Sequence, residues 1–177
     1  MEMLPRLPPN FEILEQLGPG SRVFKAWDKE FQRLVAIKAL LPKPGREGIV
    51  EPGRFFREAR ATAVCNHPNI PRMLSLGEFQ SQVYYAREFV EGETLQSLIS
   101  KKLFSHHEAA KIVAAVADAV HHVHSRGMIH GSLNLRNVIL SVDGAPKLID
   151  FERARALLSE PGDFLTDIEA LEGCSFP

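Results

Sequence analysis

Residues 105–127, SHHEAAKIVAAVADAVHHVHSRG, form the longest stretch with one clear period, that of an amphipathic helix. Ser105 reads as its N-cap, with Glu108 three residues on in the capping-box pattern. Ala109, Val113, Val116, Val120 and Val123 recur at helical spacing, and Gly127 stops the helix. A helix this apolar along one side needs cover, and the chain ahead of it supplies mostly strands. FEILEQLG (11–18), RVFKAWD (22–28) and RLVAIKAL (33–40) are β-rich runs separated by Gly, Pro and charged turns. A Pro/Gly loop (41–53) leads to a helix, RFFREARATAVC (54–65), which HPNIP ends. RMLSLGEF and QVYYAREFV read as a strand pair, and EGETLQSLISKK (91–102) as a short helix. After the long helix come two strands, VILSV (138–142) and PKLI (146–149), with an Asp-Gly turn between them. From Glu152 the chain reads as loop. Strands first and helices after them predict an α+β class.

Composition narrows the function classes. The 177 residues are 45% hydrophobic, enough for one domain with a real core. With 21 basic against 22 acidic side chains, no strong field is present to recruit nucleic acid or anionic lipid. Cys65 and Cys174 are too few for a disulfide framework and suit a reducing compartment. No run reaches transmembrane length, and MEMLPRLPPN lacks the apolar core of a signal peptide. The expectation is a cytoplasmic protein without membrane or nucleic-acid partners. The histidines at 106, 107, 121, 122 and 124 have no Cys or acid at zinc spacing, so a solvated helix face accounts for them better than a metal site.

Four short motifs carry chemistry. In LGPGSRVFKA, Gly18 and Gly20 either open a hairpin backbone to phosphates or simply make a tight turn. In VAIK, Lys38 sits inside an apolar strand, where an ammonium must find an anion or reach solvent. Glu58, on the helix that can pack over the sheet, is the obvious partner. LIDFE ends a strand with Asp150, either a Mg²⁺ ligand facing phosphates or a turn aspartate. In HGSLNLRN, Asn137 is a second oxygen ligand or an Asx turn.

Their order is more specific than any one of them. Gly-rich hairpin, strand lysine, helix glutamate, hinge, long helix, His-to-Asn loop and strand-end aspartate follow one another at the spacing of the protein-kinase signature set. Over residues 11–152 the chain resembles a eukaryotic-like Ser/Thr protein kinase of the sort bacteria also carry. RFFREARATAVCNHPNI resembles the C-helix with its following turn, and YYAREFVEGETLQSLI the inter-lobe hinge. The resemblance implies a protein-kinase-like fold: a five-stranded antiparallel sheet with the C-helix in an upper lobe (11–90), then part of a helical lower lobe (91–152). Residues 1–10 would be an extension and 153–177 an activation-segment-like tail. It implies ATP and Mg²⁺ as ligands. Lys38 would contact the α/β-phosphates and pair with Glu58. The backbone of Glu88 to Val90 would bind adenine, with Val23, Ala36 and Ile139 around the base. Asn137 and Asp150 would hold Mg²⁺, and His130 and Phe151 would pack behind the site.

The departures from the family pattern cluster where the chemistry would occur. The loop H-R-D-L-K-x-x-N reads His130-Gly131-Ser132-Leu133-Asn134-Leu135-Arg136-Asn137. Ser132 replaces the aspartate that orients the acceptor hydroxyl, an assistance typically worth about 10²–10⁴-fold. Asn134 replaces a lysine, removing positive charge beside the transferred group. Glu152 replaces the glycine after D-F and puts another carboxylate near the metal site. The hairpin is about two residues and one glycine short, and should cover the phosphates less well. Arg87 takes a usually apolar position just before the hinge. Only residues 153–177 follow Glu152, so the lower lobe should be incomplete and part of the 105–126 face bare, inviting a protein partner or self-association. The reading is a truncated pseudokinase-type domain that binds ATP weakly or serves as an interaction module. An active Ser/Thr kinase and a non-functional remnant are the alternatives.

Overall fold

The computed structural model describes residues 4–18, 21–41 and 52–156. Three strands open the chain: β1 (Phe11–Gln16), β2 (Val23–Asp28) and β3 (Arg33–Ala39). Helix α1 (Pro52–Val64) follows, then β4 (Met73–Phe79) and β5 (Gln82–Glu88). These five strands form one antiparallel sheet in the order β1-β2-β3-β5-β4, as the resemblance implies.

Register assigns the two faces of this sheet. Ile37 pairs with Phe24 and Ala86, so all three share a face; with Val35, Ala39 and Tyr84 they make one buried cluster. Lys38 pairs with Val23 and Tyr85 on the other face, where α1 packs Phe55 and Ala59 against Tyr85. Strand β3 is therefore covered on both sides, which explains a run as continuously apolar as LVAIKA. Its one charge is consequently buried as well.

The second half differs in detail from the sequence reading. Residues 91–102 are not one helix. Strand β6 (Gly92–Thr94) precedes a single short helix, α2 (Leu95–Ile99). Gly92 lies so close to β8 (Val138–Ser141) that a Cβ would fall 2.2 Å from the Leu140 carbonyl oxygen. Thr94 is extended and its hydroxyl accepts the Ser97 N–H, so the helix starts only after it. β6, β8 and β9 (Pro146–Leu148) make a three-stranded sheet. Two short elements went unread: β7 (Met128–Ile129) and β10 (Arg155–Ala156), which pair antiparallel. Residues past Glu152 thus include a piece of strand.

The long helix α3 (His106–Ser125) carries the expected capping box at Ser105 and Glu108. Its buried stripe is Ala109, Ile112, Val116, Ala119, Val120 and Val123; Val113 lies on the flank, where Ile112 was not foreseen. Leu95, Val138, Leu148 and Phe151 pack on that stripe, together with Ala61 and Cys65 from the α1 region. Among the described residues, none of the large exposed apolar side chains lies on α3. The bare helix face anticipated from the sequence is thus covered from within. No helix among the described residues is long and apolar enough to cross a membrane.

Candidate active site

Lys38 is 8% exposed and Glu58 4%, so neither charge is left to water. The Lys38 ammonium donates to Glu58 Oε2 at 2.5 Å. The other carboxylate oxygen accepts the Tyr85 hydroxyl at 2.6 Å. Both oxygens of the buried acid thus have charge-assisted partners, one from each of two neighbouring strands. Burial first, then the negative charge of Glu58, pushes the Tyr85 hydroxyl well above its ordinary range, so it stays a donor. The sequence named the Lys38–Glu58 pair but not Tyr85. In QVYYARE, alternation alone does not say which tyrosine shares the lysine's face; the β3–β5 register does.

Lys38 and Glu58 line a cleft of about 700 Å³ between the five-stranded sheet and the lower sheet. Val23, Val90, Ile139, Asn137 and Asp150 line it as well, Asp150 close enough for its charge to act on the Tyr85 hydroxyl. Arg87 also lines it, on the same face as Ala36 opposite. Ala36 itself is buried in β3 and does not reach the cleft surface. The Glu88 side chain turns outward, 3.8 Å from Lys147, so only its backbone remains for a ligand. At the hairpin, the Gly18 carbonyl accepts the Ser21 N–H at 3.1 Å, and Leu17, Ser21 and Arg22 form that wall. Gly20 lies outside the described residues, as does Cys174.

The loop below the cleft is bonded largely to itself. Asn137 donates through Nδ2 to the Ser132 carbonyl (2.7 Å) and to Ser132 Oγ (3.1 Å). Asn134 accepts the Arg136 N–H at 2.9 Å and donates to the Ser132 carbonyl. It is the N-cap of a 3₁₀ turn, Leu135–Asn137. The residue at the expected lysine position therefore braces the loop. The cap follows from N-L-R-N itself, because Asn is among the favoured N-cap residues. Ser132 and Asn134 line a smaller cavity of about 490 Å³, shared with Gly131, Asp150 and Glu152. Gly131 meets the D-F-E segment directly: a Cβ there would sit 2.7 Å from the Arg153 carbonyl oxygen. Any side chain at 131 would have to push that segment away.

Asp150 is placed by backbone contacts. The Ile149 N–H donates to the Asn137 carbonyl at 2.8 Å, which brings the two candidate metal ligands side by side. The His130 ring lies edge-on to Phe151, centroids 4.7 Å apart, and its Nε2 is 3.1 Å from the Ile149 carbonyl. Both rings are fully buried beneath the cleft. The donor set fits a hard cation: Asp150 brings a carboxylate, and Asn137, its amide nitrogen engaged by Ser132, keeps its amide oxygen for a metal. Glu152 does not stand as a loose carboxylate. Its Oε1 is 3.0 Å from an Arg22 guanidinium nitrogen, across the mouth of the cleft.

Comparison with known proteins shows the family. A model of the protein kinase domain matches residues 11–169. The chain belongs to the protein kinase family. It is 38% identical over 151 residues to a probable serine/threonine-protein kinase PknB of Lactococcus lactis, covering 83% of this chain and 24% of that protein. It is 32% identical over 160 residues to serine/threonine-protein kinase PknB of Mycobacterium leprae (86% and 26%). Serine/threonine-protein kinase 36 of Pongo abelii matches at 33% over 149 residues (83% and 11%). The chain spans about a quarter or less of these relatives' length. The bacterial-type Ser/Thr kinase fold is thus established by strand order, by the family match and by these relatives. In kinase terms, α1 is the C-helix, held inward by Lys38 and Tyr85 together.

Proposed function

We propose that this kinase domain binds a nucleotide in the cleft and transfers phosphate very slowly or not at all. One observation carries the reading: the Lys38–Glu58 pair is closed in the cleft, while in the adjoining cavity, which shares Asn137, Asp150 and Glu152 with it, Ser132 stands where a proton acceptor is needed. Lys38 would hold the inner phosphates, the Glu88–Val90 backbone the base, and Val23 and Ile139 its faces. Asn137 and Asp150 would hold Mg²⁺, which when bound would offset charge on the phosphates. Ser132 is a poor base near neutrality, and its hydroxyl already accepts from Asn137. Asn134 spends its amide on the loop and brings no positive charge.

The test has two parts. A ligand at ten times its Kd stabilises the folded state by about 1.4 kcal/mol, which for a chain this size is about 3–6 °C in Tm. Millimolar Mg·ATP is expected to give such a shift, Lys38→Met to reduce it, and Asp150→Asn to remove its metal-dependent part. A melt indifferent to ATP, ADP and Mg²⁺ would sink the nucleotide reading. In the second part, radiolabelled ATP and a basic protein acceptor are expected to show no label above the Lys38→Met background. Robust turnover that Lys38→Met abolishes would make this an active Ser/Thr kinase instead.

A further inference from the structure

The Arg22–Glu152 pair is the one ion pair among the described residues that joins the Gly-rich hairpin to the D-F-E segment. The two residues are 130 positions apart in sequence, and both line the cleft beside Lys38, Asn137 and Asp150. Each backbone is held in place. The Arg22 carbonyl accepts the Ala39 N–H at 3.2 Å, tying it to the end of β3. Glu152 follows the buried Phe151 and precedes a turn in which the Ala154 N–H donates to the Phe151 carbonyl. Only the side chains are free to exchange partners. They are 16% and 31% exposed, so water reaches the pair and it is a weak one.

We propose that Arg22 is a phosphate-binding residue of the cleft, and that Glu152 occupies its guanidinium until a nucleotide phosphate displaces it. This rests on the nucleotide reading above and adds a residue and a competition to it. The chemistry of the exchange is symmetrical. A guanidinium presents a planar fork that fits a carboxylate or a phosphate equally well, and a polyphosphate brings more negative charge than one carboxylate. Of the other cations that line the cleft, Lys38 is already held by a buried acid at 2.5 Å, and Arg87 is on β5, opposite Ala36 and away from the hairpin that would cover the phosphates. The loop supplies no lysine, since Asn134 stands there and faces its own backbone. Arg22 is therefore the cation that a phosphate can recruit at the cost of a weak, part-exposed contact. It also sits on the shortened hairpin, where fewer backbone N–H groups would be available to phosphate. Glu152 then acts as an internal competitor that weakens binding in the wild-type chain.

The test measures affinity by titration calorimetry and thermal shift for Mg·ATP, adenosine and tripolyphosphate, in wild type, Arg22→Gln, Arg22→Lys and Glu152→Gln. Because the pair is part-exposed, all variants are expected to melt cooperatively near wild type without ligand, and that melt is recorded first. Arg22→Gln should weaken Mg·ATP and tripolyphosphate about tenfold, the size of one charge-assisted hydrogen bond, and Arg22→Lys should recover part of it. Glu152→Gln should tighten both severalfold. Adenosine should respond to neither. The proposal is overturned if Arg22→Gln leaves ATP unchanged or weakens adenosine as much, or if Glu152→Gln weakens ATP. Failure of the nucleotide reading looks different: wild type would bind neither ATP nor adenosine, and this proposal would fall with it.

Discussion

Tyr85→Phe removes one oxygen atom from a closed site and leaves the ring where it is. The hydroxyl donates to Glu58 Oε1 at 2.6 Å, and both residues are under 5% exposed, so water does not replace the lost partner. A hydrogen bond to a charged group contributes about 1.5–3 kcal/mol, and a buried acceptor left short lies toward the upper end. Glu58 keeps Lys38, so the loss stays below that of an unpaired buried charge, about 3–5 kcal/mol. For a chain of this size the expected drop in Tm is about 3–12 °C. Urea melts should give the same free energy with an unchanged m-value, because no surface is newly exposed. Glu58 is then tied to the sheet by Lys38 without Tyr85, so nucleotide binding should weaken along with stability. A change under about 0.5 kcal/mol, the range of ordinary surface substitutions, would show that Tyr85 does not hold Glu58.

Lys38→Met should cost about 3–5 kcal/mol because it strands the Glu58 carboxylate, and adding Glu58→Met should return most of that in a urea melt. His122 Nε2 accepts the Asn66 N–H, and burial, followed by the nearby His67, Arg126 and His121, holds its pKa below 6.5. The unfolded chain therefore binds more protons. This contribution to stability is present above pH 6.5 and is lost as the pH falls through the depressed folded value; His122→Gln should flatten that part of the Tm–pH curve. Cys65 is buried and its thiol is pushed up to about 11 by desolvation, so in a Cys174→Ser background it should react with a thiol reagent at neutral pH only at the rate of unfolding.

Much of the frame was legible because local chemistry and tertiary role coincide. The capping box at Ser105 fixes where α3 begins, and the proline of HPNIP fixes where α1 cannot continue. Lys38 inside VAIK could be tied to Glu58 because a buried ammonium has few ways to be satisfied. What stayed hidden depends on register and on side-chain direction. Tyr84 and Tyr85 are equivalent in composition, and only the pairing of Lys38 with Tyr85 decides which reaches Glu58. Gly92 could not be separated from the helix after it, because its constraint comes from the Leu140 carbonyl of a strand some fifty residues away. Asn134 was read as a missing lysine because the family comparison asks what was lost, while the 3₁₀ turn it caps depends on what it now does. Likewise the sequence alone shows Glu152 as another carboxylate near the metal site. Its partner Arg22 stands in a hairpin whose reach across the cleft no local pattern encodes.

The altered residues form a connected set. Ser132 receives the Asn137 amide, Asn134 braces the backbone between them, and Gly131 lets the D-F-E segment close on the loop. Glu152, the neighbour of Arg153, engages Arg22 on the hairpin. Each substitution thus has a neighbour that depends on it, and restoring a family residue at one position disturbs another. An aspartate at 132 would set a second carboxylate close to Asp150 with no added cation to offset it. A lysine at 134 would supply the cation but forfeit the cap of the 3₁₀ turn, worth about 0.5–2 kcal/mol. A glycine at 152 would release Arg22 and, with it, the ion pair between hairpin and D-F-E segment. Groups that act as a unit contribute non-additively, so repair of any one should recover little phosphotransfer. What the chain keeps lies on the nucleotide side of the cleft, and there the Lys38–Glu58–Tyr85 cluster depends on none of these residues. On the proposed reading, that separation would let the cleft hold a nucleotide although Ser132 stands at the proton acceptor's position.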